Sequence, residues 1–185
     1  MKHYNCLMTS TDNDVFVLRD LEVTSEADFE WVANGMHLTL VEVEGEKGHQ
    51  AYPLTWARAR LGELLDPARR HTAHVYLAVA QDDPGRIAGH TILRINEMPD
   101  GRPYGLVSTT YVDPVHRKAG IADRLLDRGE AWIRAQGMVE AATWTSATNI
   151  PLIRLYKKHG YAVTEQARHN NGTMMVRLTK AVSGT

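Results

Sequence analysis

Residues Val112 to Ala122 read Val-Asp-Pro-Val-His-Arg-Lys-Ala-Gly-Ile-Ala, and they join a strand to a helix. Upstream, Gly105 to Val112 (GLVSTTYV) is a β-branched and aromatic run, ended by Pro114, which has no N–H to give to a ladder. Downstream, Ala119 to Gln136 repeats apolar residues at Ile121, Leu125, Leu126, Trp132 and Ile133 and closes on Gly137, a helix with its C-terminal cap. Such a turn aims several unpaired backbone N–H groups at one point, with the positive end of the helix dipole behind them. That arrangement suits a phosphate or pyrophosphate. Gly120 keeps a Cβ out of the ligand's way, Ala122 keeps the next turn small, and Arg117 adds a charge-assisted contact. Taken alone, R-x-x-G-x-A is equally the pattern of a relaxed turn beside a solvated arginine. The run lacks the Gly-Lys-Ser/Thr ending of a nucleotide P-loop, and it follows the fourth strand, whereas the glycine turn of a dinucleotide fold follows the first.

Working outward, Val15 to Leu21 alternates as a first strand, and Ser25 with Asp28 marks a capped helix running to about Leu40. The stretch Glu42 to Pro53 is rich in glycine and charge, and Thr55 to Leu65 predicts a second helix. His74 to Ala80 and Arg86 to Ile95 form a hairpin about Asp83-Pro84-Gly85, the second and third strands. Beyond Gly137, Val139 to Thr145 is a fifth strand, and Pro151 opens a helix that ends at Gly160. Tyr161 to Arg168 and Thr173 to Thr179 close the chain as a hairpin across Asn170-Asn171-Gly172. The order is strand, two helices, three strands, helix, strand, helix, two strands. It predicts a mixed α/β sheet covered by four helices, in which the fourth strand, the third helix and the fifth strand form a parallel crossover.

The bulk properties fit one domain over residues 1–185, with 43% hydrophobic and 23% charged residues and no linker or repeat. Twenty-one Lys and Arg against 22 Asp and Glu exert no global pull toward nucleic acid or an anionic membrane. The single cysteine, Cys6, excludes an intrachain disulfide framework. Met1 to Ser10 does not resemble a signal peptide, and no segment reaches the roughly 20 apolar residues of a membrane span, so a cytoplasmic location is expected. His71 and His74 lack a cysteine or carboxylate at ligand spacing, and no metal is expected.

Val112 through Leu126 resembles the coenzyme-A-binding signature of the GCN5-related N-acetyltransferases (GNAT superfamily): a strand ending near V-x-P, then Q/R-x-x-G-x-G/A opening a helix. Asn149 followed by Leu155-Tyr156-Lys157-Lys158-His159-Gly160-Tyr161 resembles the family's second segment, N-x(5)-L-Y-x-x-x-G-F/Y. The element order matches the family from about Val15 to Thr179. The resemblance implies a mostly antiparallel sheet of about seven strands and a single acyltransferase domain with acetyl-coenzyme A as co-substrate. It also implies the roles. Backbone groups of Tyr111 and Val112 pair with the pantetheine arm; Arg117, Lys118, Ala119, Gly120, Ile121 and Ala122 hold the pyrophosphate; Asn149 bonds the pantetheine region from across the cleft. Tyr156 protonates the departing thiolate. The acceptor is the amine of a small molecule or a peptide, and homodimers are common in the family.

The residues add physical sense of their own. Asn149 and Tyr156 lie seven residues apart, near two helical turns, and share a side if one helix holds both. A phenol, with a reference pKa of about 10, is protonated at neutral pH and still able to donate. A core aromatic and a helix cap are the ordinary uses of these two residues. Many family members carry a glutamate on the fourth strand, whereas Gly105 to Tyr111 has no carboxylate, so the base that frees the amine is unassigned; Glu97, His37 and Glu42 are candidates. Transfer of a longer acyl group, or a non-catalytic binder of acyl-coenzyme A or a toxic ligand, are the alternatives. Arg69-Arg70-His71 is a short basic patch, either solvated or facing an acidic substrate.

Overall fold

Ser25 opens the first long helix as expected: in the computed structural model its Oγ accepts the Asp28 N–H at 3.2 Å, and α1 spans Glu26–Glu44. The structure describes residues 15–68, 72–169 and 172–182. Asp28 is itself buried, its carboxylate held by a bidentate pair with Arg19 at 2.5 and 2.8 Å that keeps its pKa below the usual range. α1 runs one turn beyond the expected end at Leu40, and Gly45, with φ of +60°, then reverses the chain. The glycine- and charge-rich stretch holds a helix that its sequence does not announce, α2 (Glu46–Ala51). It packs by a close approach: Gly48 is buried where any Cβ would collide with the Leu40 carbonyl, so α2 folds back on α1 without an apolar stripe. With α3 (Leu54–Leu65), α4 (Ile121–Ala135) and α5 (Ile150–Lys158), five α-helices stand among the described residues where four were expected.

The strands are β1 (Phe16–Asp20), β2 (Ala73–Ala80), β3 (Ile87–Glu97), β4 (Pro103–Val112), β5 (Glu140–Ser146), β6 (Ala162–Arg168) and β7 (Met174–Ala181). They form one sheet in the order β1-β2-β3-β4-β5-β7-β6, antiparallel throughout except between β4 and β5, which α4 connects. This is the expected mixed α/β architecture with its parallel crossover. Strand periodicity sorts the core. Val75, Leu77, Val79 and Ile92 meet Val32 and Met36 of α1 and Leu61 of α3 on one face. Tyr76, Ala78, Leu93 and Val107 meet Leu125, Leu126 and Ile133 of α4 on the other. Each fully buried leucine contributes about 1.5–3 kcal/mol, and α4 lies close because Gly105 leaves room for Ile133. The turn at Asn170-Asn171 and the patch Arg69-Arg70-His71 lie outside the described residues.

β4 and β5 pair only at Gly105 with Ala141 and Leu106 with Ala142. Immediately beyond, β4 carries one extra residue: Val107 pairs with Leu93 and Thr109 with Ile92, leaving Ser108 as a bulge. A bulge bends and twists its strand. β4 then follows β3 as far as Val112, while β5 follows β7 to Ser146, and the two strands part.

Candidate active site

The parted strands open a cavity of about 420 Å³, closed on its sides by the last turn of α1, the turn before α4 and the start of α5. Antiparallel pairing decides which groups of β4 face it. The Asp113 N–H donates to the Ala88 carbonyl, so Tyr111, two residues earlier, also turns its backbone toward β3, opposite His90. Val112 and Thr110 alternate with them and present N–H and C=O to the space that β5 has vacated. Tyr111 lines the cavity, yet the backbone groups that β4 turns toward it belong to Val112 and Thr110. Thr110 was passed over in the sequence reading, although the period of two from Val112 carries that signal.

After β4, Asp113 accepts the Val115 N–H and Pro114–His116 makes a single 3₁₀ turn. Lys118 and Gly120 then adopt left-handed backbone, with φ of +68° and +74°. Two left-handed residues flanking Ala119 curl the chain into a concave row of N–H groups, the shape that binds anions. Among the described residues, no backbone carbonyl takes the N–H groups of residues 120–123; the first intrahelical bond runs from Arg124 to the Gly120 carbonyl. A Cβ on Gly120 would meet nothing within 4 Å, so its conformation, and the open cavity beside it, account for the glycine. Arg117, Lys118, Gly120, Ile121 and Ala122 line the cavity; Ala119 is exposed and does not. Arg117 is engaged elsewhere: its Nε donates to the Val112 carbonyl at 3.0 Å and its Nη2 to Glu42 Oε1 at 2.6 Å.

On the opposite wall, Asn149 lines the cavity and also caps α5, its Oδ1 accepting from the Leu152 N–H at 3.4 Å and its Nδ2 donating to Thr145 Oγ1 at 3.1 Å. The ordinary use of the residue and a place in the site therefore coincide. Tyr156 does not line the cavity. It is 1% exposed and packs edge-on against Tyr161 at 4.8 Å, and burial pushes its phenol up to about 12, against the Thr143 and Thr110 hydroxyls beside it. Thr110 does line the cavity, so a single side chain separates the phenol from it.

Of the candidate bases, Glu97 pairs with Pro103 at the opposite end of β3 and β4 from the cavity, which removes it. His37 bonds the Tyr52 carbonyl at 2.8 Å on α1, and Glu42 lines the cavity. A buried histidine that the sequence reading did not weigh, His90, has no partner for either ring nitrogen among the described residues, and burial takes its pKa down to about 3. It packs between Trp31 and Tyr111 in space that Gly35 leaves. No group of three metal-ligating side chains, and no helix long and apolar enough to cross a membrane, occurs among the described residues.

Residues 39–161 match the Acetyltransferase (GNAT) family. A mycothiol acetyltransferase from Propionibacterium freudenreichii subsp. shermanii is 30% identical over 108 residues, 58% of this chain. The match spans about a third of that relative, 32% of its length. In fold, the chain is similar to a structure of the NatC complex bound to Gag peptide and CoA, with a TM-score of 0.66, 16% identity and coverage of 90% of this chain and 98% of that one. It is also similar to aminoglycoside 6'-N-acetyltransferase complexed with coenzyme A, with a TM-score of 0.65, 14% identity and coverage of 91% and 98%.

Proposed function

The chain belongs to the GNAT acetyltransferase family, and from that premise we propose that it moves the acetyl group of acetyl-coenzyme A onto an amine of a small molecule or a peptide. One observation carries the reading: the cavity between β4 and β5 joins a strand edge that β5 no longer pairs to a curled row of N–H groups at a helix N-terminus. The first fits an extended pantetheine arm and the second a pyrophosphate, so both ends of the co-substrate are met by backbone of the right polarity.

In the proposed reaction the amine nitrogen bonds to the thioester carbon, the carbon–sulfur bond breaks, and its electron pair leaves on sulfur. The Val112 N–H, which the strand alternation turns toward the cavity, donates to the oxyanion of the tetrahedral intermediate. Tyr156 supplies a proton to the sulfur by way of the Thr110 hydroxyl, which lines the cavity and hydrogen-bonds the phenol. Its phenol, near 12, lies above an ordinary thiol at about 8.5, so donation to a solvated thiolate is uphill by roughly 5 kcal/mol. A thiolate taken out of water in the cavity is raised by the same physics, which narrows that gap. The acceptor gives up two protons, one before attack and one from the intermediate, and no β4 carboxylate is present to take the first.

A second reading, a non-catalytic binder on the same fold, is favoured by the position of Tyr156 outside the cavity lining. Incubation with acetyl-coenzyme A and a panel of aminoglycosides, polyamines and peptides, following thiol release and acceptor mass, separates the two. An acetylated acceptor supports transfer. Binding of acetyl-coenzyme A with no acetylated product from any class supports the binder.

A further inference from the structure

Arg117 ties together three walls of the cavity. Its Nε holds the Val112 carbonyl at the end of β4, and its Nη2 holds Glu42, in the last turns of α1 and 75 residues away in sequence, at 2.6 Å. All three residues line the cavity. Two of the groups satisfied in this way are the ones an acyl-coenzyme A needs: the Val112 carbonyl, free to pair with an amide of the arm only once Arg117 lets go, and the Arg117 fork itself. A carboxylate that occupies the same fork as a pyrophosphate competes with it, and the two anions repel.

We propose that Glu42 and the pyrophosphate of the co-substrate exchange on Arg117, which makes Glu42 a determinant of co-substrate affinity; this rests on the acyl-coenzyme A reading above. In the free protein Glu42 holds the guanidinium across the end of β4. When the co-substrate enters, Arg117 turns to the phosphates, the Val112 carbonyl is released, and the Glu42 carboxylate is left without its cation at the rim of the site. A protonated amine is the chemistry that then pairs with it, so the exchange favours binding of the acyl donor before the acceptor. The effect is modest, because both side chains are nearly half exposed, 42% for Arg117 and 46% for Glu42, and exposed pairs are screened by water and salt.

Calorimetric titration of acetyl-coenzyme A at low salt into the wild type, Glu42→Gln, Arg117→Gln and the double variant tests the exchange. Glu42→Gln is expected to bind about three- to fivefold tighter than the wild type, and that gain is expected to vanish when Arg117 is already glutamine. Unchanged or weaker binding by Glu42→Gln would overturn the proposal, the weaker case meaning that Glu42 holds Arg117 ready for the phosphates. An equal gain in the Arg117→Gln background would also overturn it, since bare repulsion between Glu42 and the ligand needs no exchange. A wild type that binds no acetyl-coenzyme A is a separate result: it removes the acyl-coenzyme A reading and the exchange with it.

Discussion

Thr143 Oγ1 donates to the Val107 carbonyl at 2.9 Å, at the point where β5 stops pairing with β4. A side chain there replaces the ladder bond that the departing strand no longer makes, and satisfies a carbonyl that is otherwise buried without a partner. Replacing Thr143 with valine keeps the shape and removes the donor. Urea denaturation is expected to show a loss of about 1–3 kcal/mol, the cost of a stranded buried acceptor. Unchanged stability would mean that the carbonyl finds another donor.

Asn149 caps α5 and lines the cavity, and substitution can separate the two. Asn149→Ala removes the cap of α5 and the bond to Thr145 and should cost about 1 kcal/mol. Asn149→Asp caps as well as asparagine but offers no Nδ2 donor. The aspartate variant is expected to keep near-native stability, because the Thr145 hydroxyl can donate to the carboxylate in turn, and to bind acetyl-coenzyme A more weakly. Equal affinity in the two proteins would leave Asn149 a cap alone.

Burial of Tyr156 has a consequence for alkaline stability. Its folded pKa is raised from 10.0 to about 12, chiefly by burial, so the folded state holds the phenolic proton more tightly than the unfolded chain. That contribution is fully present below pH 10 and is lost as the pH rises from about 10 through about 12. Tyr156→Phe should therefore flatten the decline in stability on the alkaline side. If the phenol donates to the leaving sulfur, the same variant loses about 10²- to 10⁴-fold in turnover while keeping its affinity for acetyl-coenzyme A. Full turnover in the phenylalanine variant would reassign Tyr156 to packing.

The elements that local chemistry punctuates were legible in the sequence. Ser25 with Asp28, Gly137 after α4 and Gly160 after α5 each mark a helix end by a cap or a left-handed residue, and each does so in the structure. The turn from Val112 to Ala122 was legible for the same reason. What escaped depends on contacts distant along the chain. α2 packs on α1 through the close approach of Gly48 to Leu40, which no periodicity signals. Thr39, Glu42 and Val43 reach the cavity because α1 crosses β4, and the hold of Glu42 on Arg117 spans 75 residues. Seven-residue spacing placed Asn149 and Tyr156 near one another along α5, but packing against Tyr161 decided that one lines the cavity and the other lies behind Thr110.

Calorimetric titration of acetyl-coenzyme A into the wild type and Gly120→Glu asks whether the turn before α4 holds an acyl-coenzyme A. Glutamate at position 120 puts bulk and negative charge into the open cavity, at a cost of about 1 kcal/mol for the left-handed backbone, so circular dichroism must show that the variant is folded. Saturable binding to the wild type and none to the folded variant are expected. A folded wild type that binds nothing, or a variant that binds equally well, would contradict that expectation.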